Sequence, residues 1–148
     1  MGRSARAKSG QPGNGGALDL RRVLVVEDDP ILAMAAEDIL REGGVEQVDL
    51  CTTTESALAV LREAMPEAII LDVHLADRDD GWAIAELVEA LGENRPKIIF
   101  ATGSPQDIPA QIAELGLVLE KPYTPDALVA ALRGPERKGL FARLRGDA

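Results

Sequence analysis

Val23-Leu24-Val25-Val26-Glu27-Asp28-Asp29-Pro30 decides the reading of this chain, because four apolar residues run without alternation and stop abruptly at three acids. A short continuous apolar run is the pattern of a strand covered on both faces. The form recurs at Ala68-Ile69-Ile70-Leu71, closed by Asp72, and at Ile98-Ile99-Phe100-Ala101, closed by Thr102. It recurs again at Leu117-Val118-Leu119, followed by Glu120-Lys121-Pro122, while Glu46 to Thr52 is a weaker fifth run. Helical spacing fills the gaps. Ile31 to Arg41 sets Ile31, Met34, Ala35, Ile39 and Leu40 on one side, and Glu55 to Ala64 and Trp82 to Leu91 repeat that spacing. Asp107 to Leu115 and Asp126 to Leu132 supply two shorter helices, and Gly43-Gly44 and Gly92 read as helix stops.

Five strands alternating with five helices predict an α/β fold: a doubly wound, five-stranded parallel sheet with helices on both faces. The flavodoxin-like order 2-1-3-4-5 is expected, since it sets strands one and three side by side at a topological switch point. Glu27, Asp28 and Asp72 then meet on the rim formed by the carboxyl ends of the strands. Lys121 and Thr102 end on the same rim.

The 148 residues fit one domain with a core large enough to need no staples. Cys51 is the single cysteine, which excludes an internal disulfide, and its place in Val48-Asp49-Leu50-Cys51-Thr52 suits a buried strand thiol. No apolar stretch reaches the roughly 20 residues of a membrane helix, and Met1 to Gly16 is too polar for a signal peptide. A cytoplasmic protein with no membrane partner is the expectation.

The formal charge of −9 is unevenly spread. Residues 1–22 set five basic groups against Asp19, and residues 133–148 set five against Glu136 and Asp147, which leaves −16 for the body between. An acidic body repels a phosphate backbone, so direct nucleic-acid binding is not expected. Residues 1–20 read as a disordered leader, because the stretch to Ala17 has almost no bulky apolar residue to offset its ordering entropy. The folded domain is expected over 21–133 and a basic tail over 134–148, in which Leu140, Phe141 and Leu144 form a short amphipathic pattern beside Arg143 and Arg145.

The acids after the first run have two readings. Asp29 before Pro30 is a good helix start, with a carboxylate favoured at the first turn. Glu27 and Asp28 are not needed for that cap, and a cluster of carboxylate oxygens suits Mg²⁺. Asp72 is likewise not needed as a turn former, since Asp77, Asp79, Asp80 and Gly81 follow it. A carboxylate beside a divalent cation can act as a nucleophile on phosphorus. Lys121 can pair with phosphoryl oxygens as a point charge, and Thr102 adds a hydroxyl donor.

Together these residues resemble the receiver domain of bacterial response regulators, over about Arg22 to Arg133. The resemblance implies that Asp28 binds Mg²⁺ directly, that Glu27 supports it through water, and that Asp72 is both ligand and phosphoacceptor. His74 would lend its backbone carbonyl to the cation; Thr102 is similar to the family's switch hydroxyl and Lys121 to its phosphate-contacting lysine. The implied activity is phosphoryl transfer from a histidine kinase or histidine phosphotransfer protein to a stand-alone receiver, with output through contacts to an unknown protein target. Phe100-Ala101-Thr102-Gly103 resembles the signature of the FAT GUY group of single-domain receivers, although Ser104-Pro105 departs from it. Two further departures are Val118, where many receivers carry an aromatic, and a loop after Asp72 that lacks Met-Pro and is one residue longer.

Three rivals share parts of this pattern. A phosphatase of the haloacid dehalogenase type also uses an aspartate nucleophile, Mg²⁺ and a lysine, but Glu27-Asp28-Asp29-Pro30 does not fit its first-strand motif. A pseudo-receiver would keep the fold as a binding module without phosphorylation. A flavin binder needs a Gly/Ser/Thr-rich first turn, and the acidic turn here would repel a phosphate.

Overall fold

The structure is a computed structural model that describes residues 18–74, 82–90 and 92–134. Its strands are β1 (Arg22–Val26), β2 (Gln47–Cys51), β3 (Ala68–Asp72), β4 (Lys97–Thr102) and β5 (Leu117–Glu120). The helices are α1 (Pro30–Glu42), α2 (Thr54–Glu63), α3 (Trp82–Glu89), α4 (Ala110–Ala113) and α5 (Pro125–Arg133). All strand pairs are parallel, in the order β2-β1-β3-β4-β5 that the sequence predicts. Val26 is level with Leu71 and Asp72 with Ala101, so β1, β3 and β4 end together.

Side chains alternate across a strand with a period of two, and each apolar run therefore serves two cores. Val23, Val25, Ile70 and Ile99 face one cluster, closed by Ala36 and Leu40 of α1 and by Leu128, Ala131 and Leu132 of α5. Leu24, Val26, Ile69, Leu71 and Phe100 face the other, closed by α2, α3 and Ile112 of α4. Caps set where the helices begin. The Asp29 carboxylate accepts from the N–H groups of Ile31 and Leu32, with Pro30 as first helical residue. Thr53 and Ser56 form a reciprocal capping box at α2, and Thr124 caps α5.

The inward side of α1 differs from the expected one. Ala33, Ala36 and Leu40 are buried, whereas Ile31, Met34 and Ala35 face outward, Ile31 being 75% exposed and Met34 59%. Both sets satisfy helical spacing, and the small alanines pack beneath the helix against the sheet. The helix expected over Asp107–Leu115 is also reduced: a 3-10 turn at Pro105–Asp107 precedes four-residue α4, separated from it by Ile108 and Pro109. Proline lacks the N–H that a continuous helix would need there. β5 was expected to be covered on both faces, but as the last strand of the sheet it is half-buried at Leu117, Val118 and Leu119.

Leu18 is buried, and its N–H donates to the Gly43 carbonyl at 2.6 Å, so residues assigned from sequence to the leader join the fold. The rest of the expected leader, the tail after Gly134 and the loop Leu75–Gly81 lie outside the described residues. Among the described residues no helix is long and apolar enough to cross a membrane.

Candidate functional site

The site is built where β1, β3 and β5 stop. β1 delivers Glu27, whose N–H continues the ladder by donating to the Cys51 carbonyl at 2.9 Å. Its side chain turns inward and is buried, whereas Asp28, one residue on, is exposed. β3, buried along its whole length, ends in Asp72, which is only 4% exposed. Carboxylate oxygens of Glu27, Asp28 and Asp72 lie within 4.8 Å of one another.

β5 brings the counter-charge. The Lys121 N–H donates to the Thr102 carbonyl at 2.6 Å, which ties the end of β5 to the end of β4. From there the Lys121 ammonium reaches 3.2 Å from Glu27 Oε1 and 3.3 Å from Asp72 Oδ1. The Lys121–Pro122 peptide bond is cis. Asp72 Oδ1 also accepts from the His74 N–H at 3.1 Å, while the His74 side chain is exposed. Thr102 is buried, and its Oγ1 accepts from the Ser104 N–H at 2.9 Å. Every site residue expected from sequence is thus on one rim.

The electrostatics follow from that crowding. Burial, and then the Asp72 charge, push the Glu27 carboxyl above its ordinary value, against the opposing pull of Lys121. Burial works to lower the Lys121 ammonium, but Asp72 and Glu27 outweigh it and the net shift is upward. Burial also raises the Tyr123 phenol. The site holds more negative charge than one lysine offsets. Three hard oxygen donors at this spacing fit a small divalent cation such as Mg²⁺, a donor set without thiolate or imidazole that does not favour zinc.

Two hollows flank the rim. One, of about 250 Å³, is lined by Val73, His74, Thr102, Gly103, Ser104 and Asp107. The other, of about 340 Å³, lies between Glu27, Leu32, Ala35, Ile39 and Lys121-Pro122-Tyr123. Sequence reasoning left Ser104 without a part in the site, because its contribution is a backbone N–H that no residue type announces. It also missed Leu32 and Ala35, which follow from the true orientation of α1.

The response regulator receiver domain profile matches residues 23–133. PdtaR of Mycobacterium tuberculosis, a transcriptional regulatory protein, is 28% identical over 114 residues, covering 76% of this chain and 55% of that protein. The chain spans about half the length of the first curated relatives it matches. Among solved structures, a CheY-like receiver domain from Methylobacillus flagellatus superposes with a TM-score of 0.64 at 28% identity, over 74% of this chain and 92% of that one. The PhyR stress response regulator does so with a TM-score of 0.64 at 26% identity, over 87% of this chain and 48% of that one. With the receiver profile spanning three strand-end acids, the rim lysine and the whole sheet, the chain belongs to the response regulator receiver domain family.

Proposed function

We propose that this receiver accepts a phosphoryl group on Asp72 from a phosphohistidine carried by a histidine kinase or histidine phosphotransfer protein, with Mg²⁺ as cofactor. The observation that carries the reading is the Lys121 ammonium 3.3 Å from Asp72 Oδ1, beside the clustered oxygens of Glu27 and Asp28. Asp28, Asp72 and Glu27, with the backbone carbonyl of His74, would hold the cation, which when bound offsets charge on phosphoryl oxygens.

The chain's own groups do the rest. Lys121 and the His74 N–H both engage Oδ1 of Asp72 and fix the carboxylate's orientation, so the other oxygen attacks phosphorus. An oxygen–phosphorus bond forms as the phosphohistidine nitrogen–phosphorus bond breaks, and the departing imidazole nitrogen keeps the electron pair and takes up a proton. Lys121 has three N–H donors; two face Glu27 and Asp72, and the third serves a phosphoryl oxygen. Thr102 Oγ1 accepts from Ser104 yet keeps its own hydrogen to donate to the product. Exposed Ile31 and Met34, on the helix that begins beside Asp28, offer apolar contact to a protein donor. The residues Phe100-Ala101-Thr102-Gly103 support placement in the FAT GUY group, and output through a protein target belongs to the same proposal.

Incubation with Mg²⁺ and a small phosphodonor, followed by intact mass measurement, tests the reading. A phosphate-sized gain in the wild type and none in Asp72→Asn is the expected result. No adduct, even with candidate kinases, would favour a pseudo-receiver, and rapid turnover of unrelated phosphate esters would favour a phosphatase.

A further inference from the structure

α1 and α5 cover the same face of the sheet, and the groove between them is open along its length. Its lower part, about 430 Å³, is lined by Ile39, Glu42, Pro125, Asp126, Val129 and Arg133. The hollow beside Tyr123 and Lys121 continues it upward, and the two share Ile39. Exposed Leu32 edges the upper part, at 44%. Apolar carbon therefore lies open to solvent from the end of α5 to the edge of the acidic site.

We propose that the groove is the seat of this chain's own C-terminal segment, residues 135–148, with Leu140, Phe141 and Leu144 occupying it. Three observations select this occupant. The chain leaves α5 at Gly134, next to Arg133 at the groove's lower mouth, so no crossing of the molecule is required. Reach is sufficient: the nine residues of α5 span about 13 Å at helical rise, and the six residues from Gly134 to Leu140 span up to ~20 Å extended. Charge is complementary, because Arg137, Lys138, Arg143 and Arg145 would lie against an acidic body and the groove's own Glu42 and Asp126. The spacing of Leu140, Phe141 and Leu144 places all three on one side of a single helical turn.

Seated there, the segment covers the α1 side of the acidic site and competes with any protein that docks on it. That consequence rests on the proposed function; the seating itself does not. Methyl NMR of the full chain tests the seating directly, by comparing wild type with Phe141→Ser/Leu144→Ser. Shifts at Ile39 and Val129, with Leu61 and Ile84 of the opposite core unmoved, are expected. A nitroxide on Arg145→Cys, in a Cys51→Ala background, should broaden Ile39 and Val129 at every protein concentration. Unchanged Ile39 and Val129 signals in both experiments would overturn the proposal. Broadening that vanishes on dilution would assign the groove to a second copy and overturn it equally.

Discussion

The Lys121 ammonium lies 3.3 Å from Asp72 Oδ1, across 49 residues of sequence, and a 3.2 Å contact to Glu27 makes it the cation shared by two buried carboxylates. Removing one partner of a buried ion pair leaves charge without compensation, at about 3–5 kcal/mol when burial is complete. Lys121 is 23% exposed, so Lys121→Ala is expected to lose about 2 kcal/mol by urea unfolding. In an Asp72→Asn background the loss should shrink by about 1 kcal/mol, the size of a contact coupling. Equal losses in both backgrounds would show that the two groups do not interact.

Glu27 gives the site a pH dependence of definite sign. Its folded-state value is raised, by burial first and by Asp72 second, above the ordinary 4.5. Between the ordinary value and the raised one the folded state binds more protons than the unfolded chain, so this group's contribution to stability falls as pH rises. The penalty is complete above the raised value. Urea unfolding from pH 4 upward should therefore show wild type losing stability relative to Glu27→Gln, and saturating Mg²⁺ should remove the difference. A parallel pair of curves would contradict the assignment.

Much of this was legible in the sequence, for a physical reason. Val23–Val26, Ala68–Leu71 and Ile98–Ala101 are buried on both faces, so their composition alone marks them as central strands, and the acid or hydroxyl that ends each run marks the rim. Less legible was whatever depended on packing rather than polarity. Ala33 and Ala36 form the inner side of α1 because small residues fit beneath a helix, whereas Ile31 and Met34, the more apolar pair, lie outside. Leu18 could not be told from the polar leader beside it, since its burial comes from the distant Gly43 turn.

Gly116, just before β5, holds that strand close to β4. A β-carbon there would fall 2.3 Å from the Ile98 carbonyl oxygen, so the backbone itself would have to move. Gly116→Ala should lose about 1–3 kcal/mol, the usual range for overpacking. Because β5 carries Lys121, the variant should also bind Mg²⁺ with altered affinity, measured by calorimetry. Wild-type stability would show that the approach is not tight.

Trp82, the only tryptophan, meets the Phe100 ring edge-on, with centroids 6.1 Å apart at 67°. Phe100 pairs with Leu71, the residue before Asp72, so a change at the carboxylates has a short path to the indole. Titration with Mg²⁺ should give a saturable change in tryptophan fluorescence, lost in Asp28→Asn. The same saturable change persisting in Asp28→Asn would place the cation elsewhere.

Borohydride reduction tests the central claim most directly, because it converts an aspartyl phosphate to homoserine and so records which carboxylate was modified. After reaction with Mg²⁺ and a small phosphodonor, peptide mass spectrometry should find homoserine at position 72 alone. Homoserine at position 28, or at no position while the donor is consumed, would contradict the assignment of Asp72 as the acceptor.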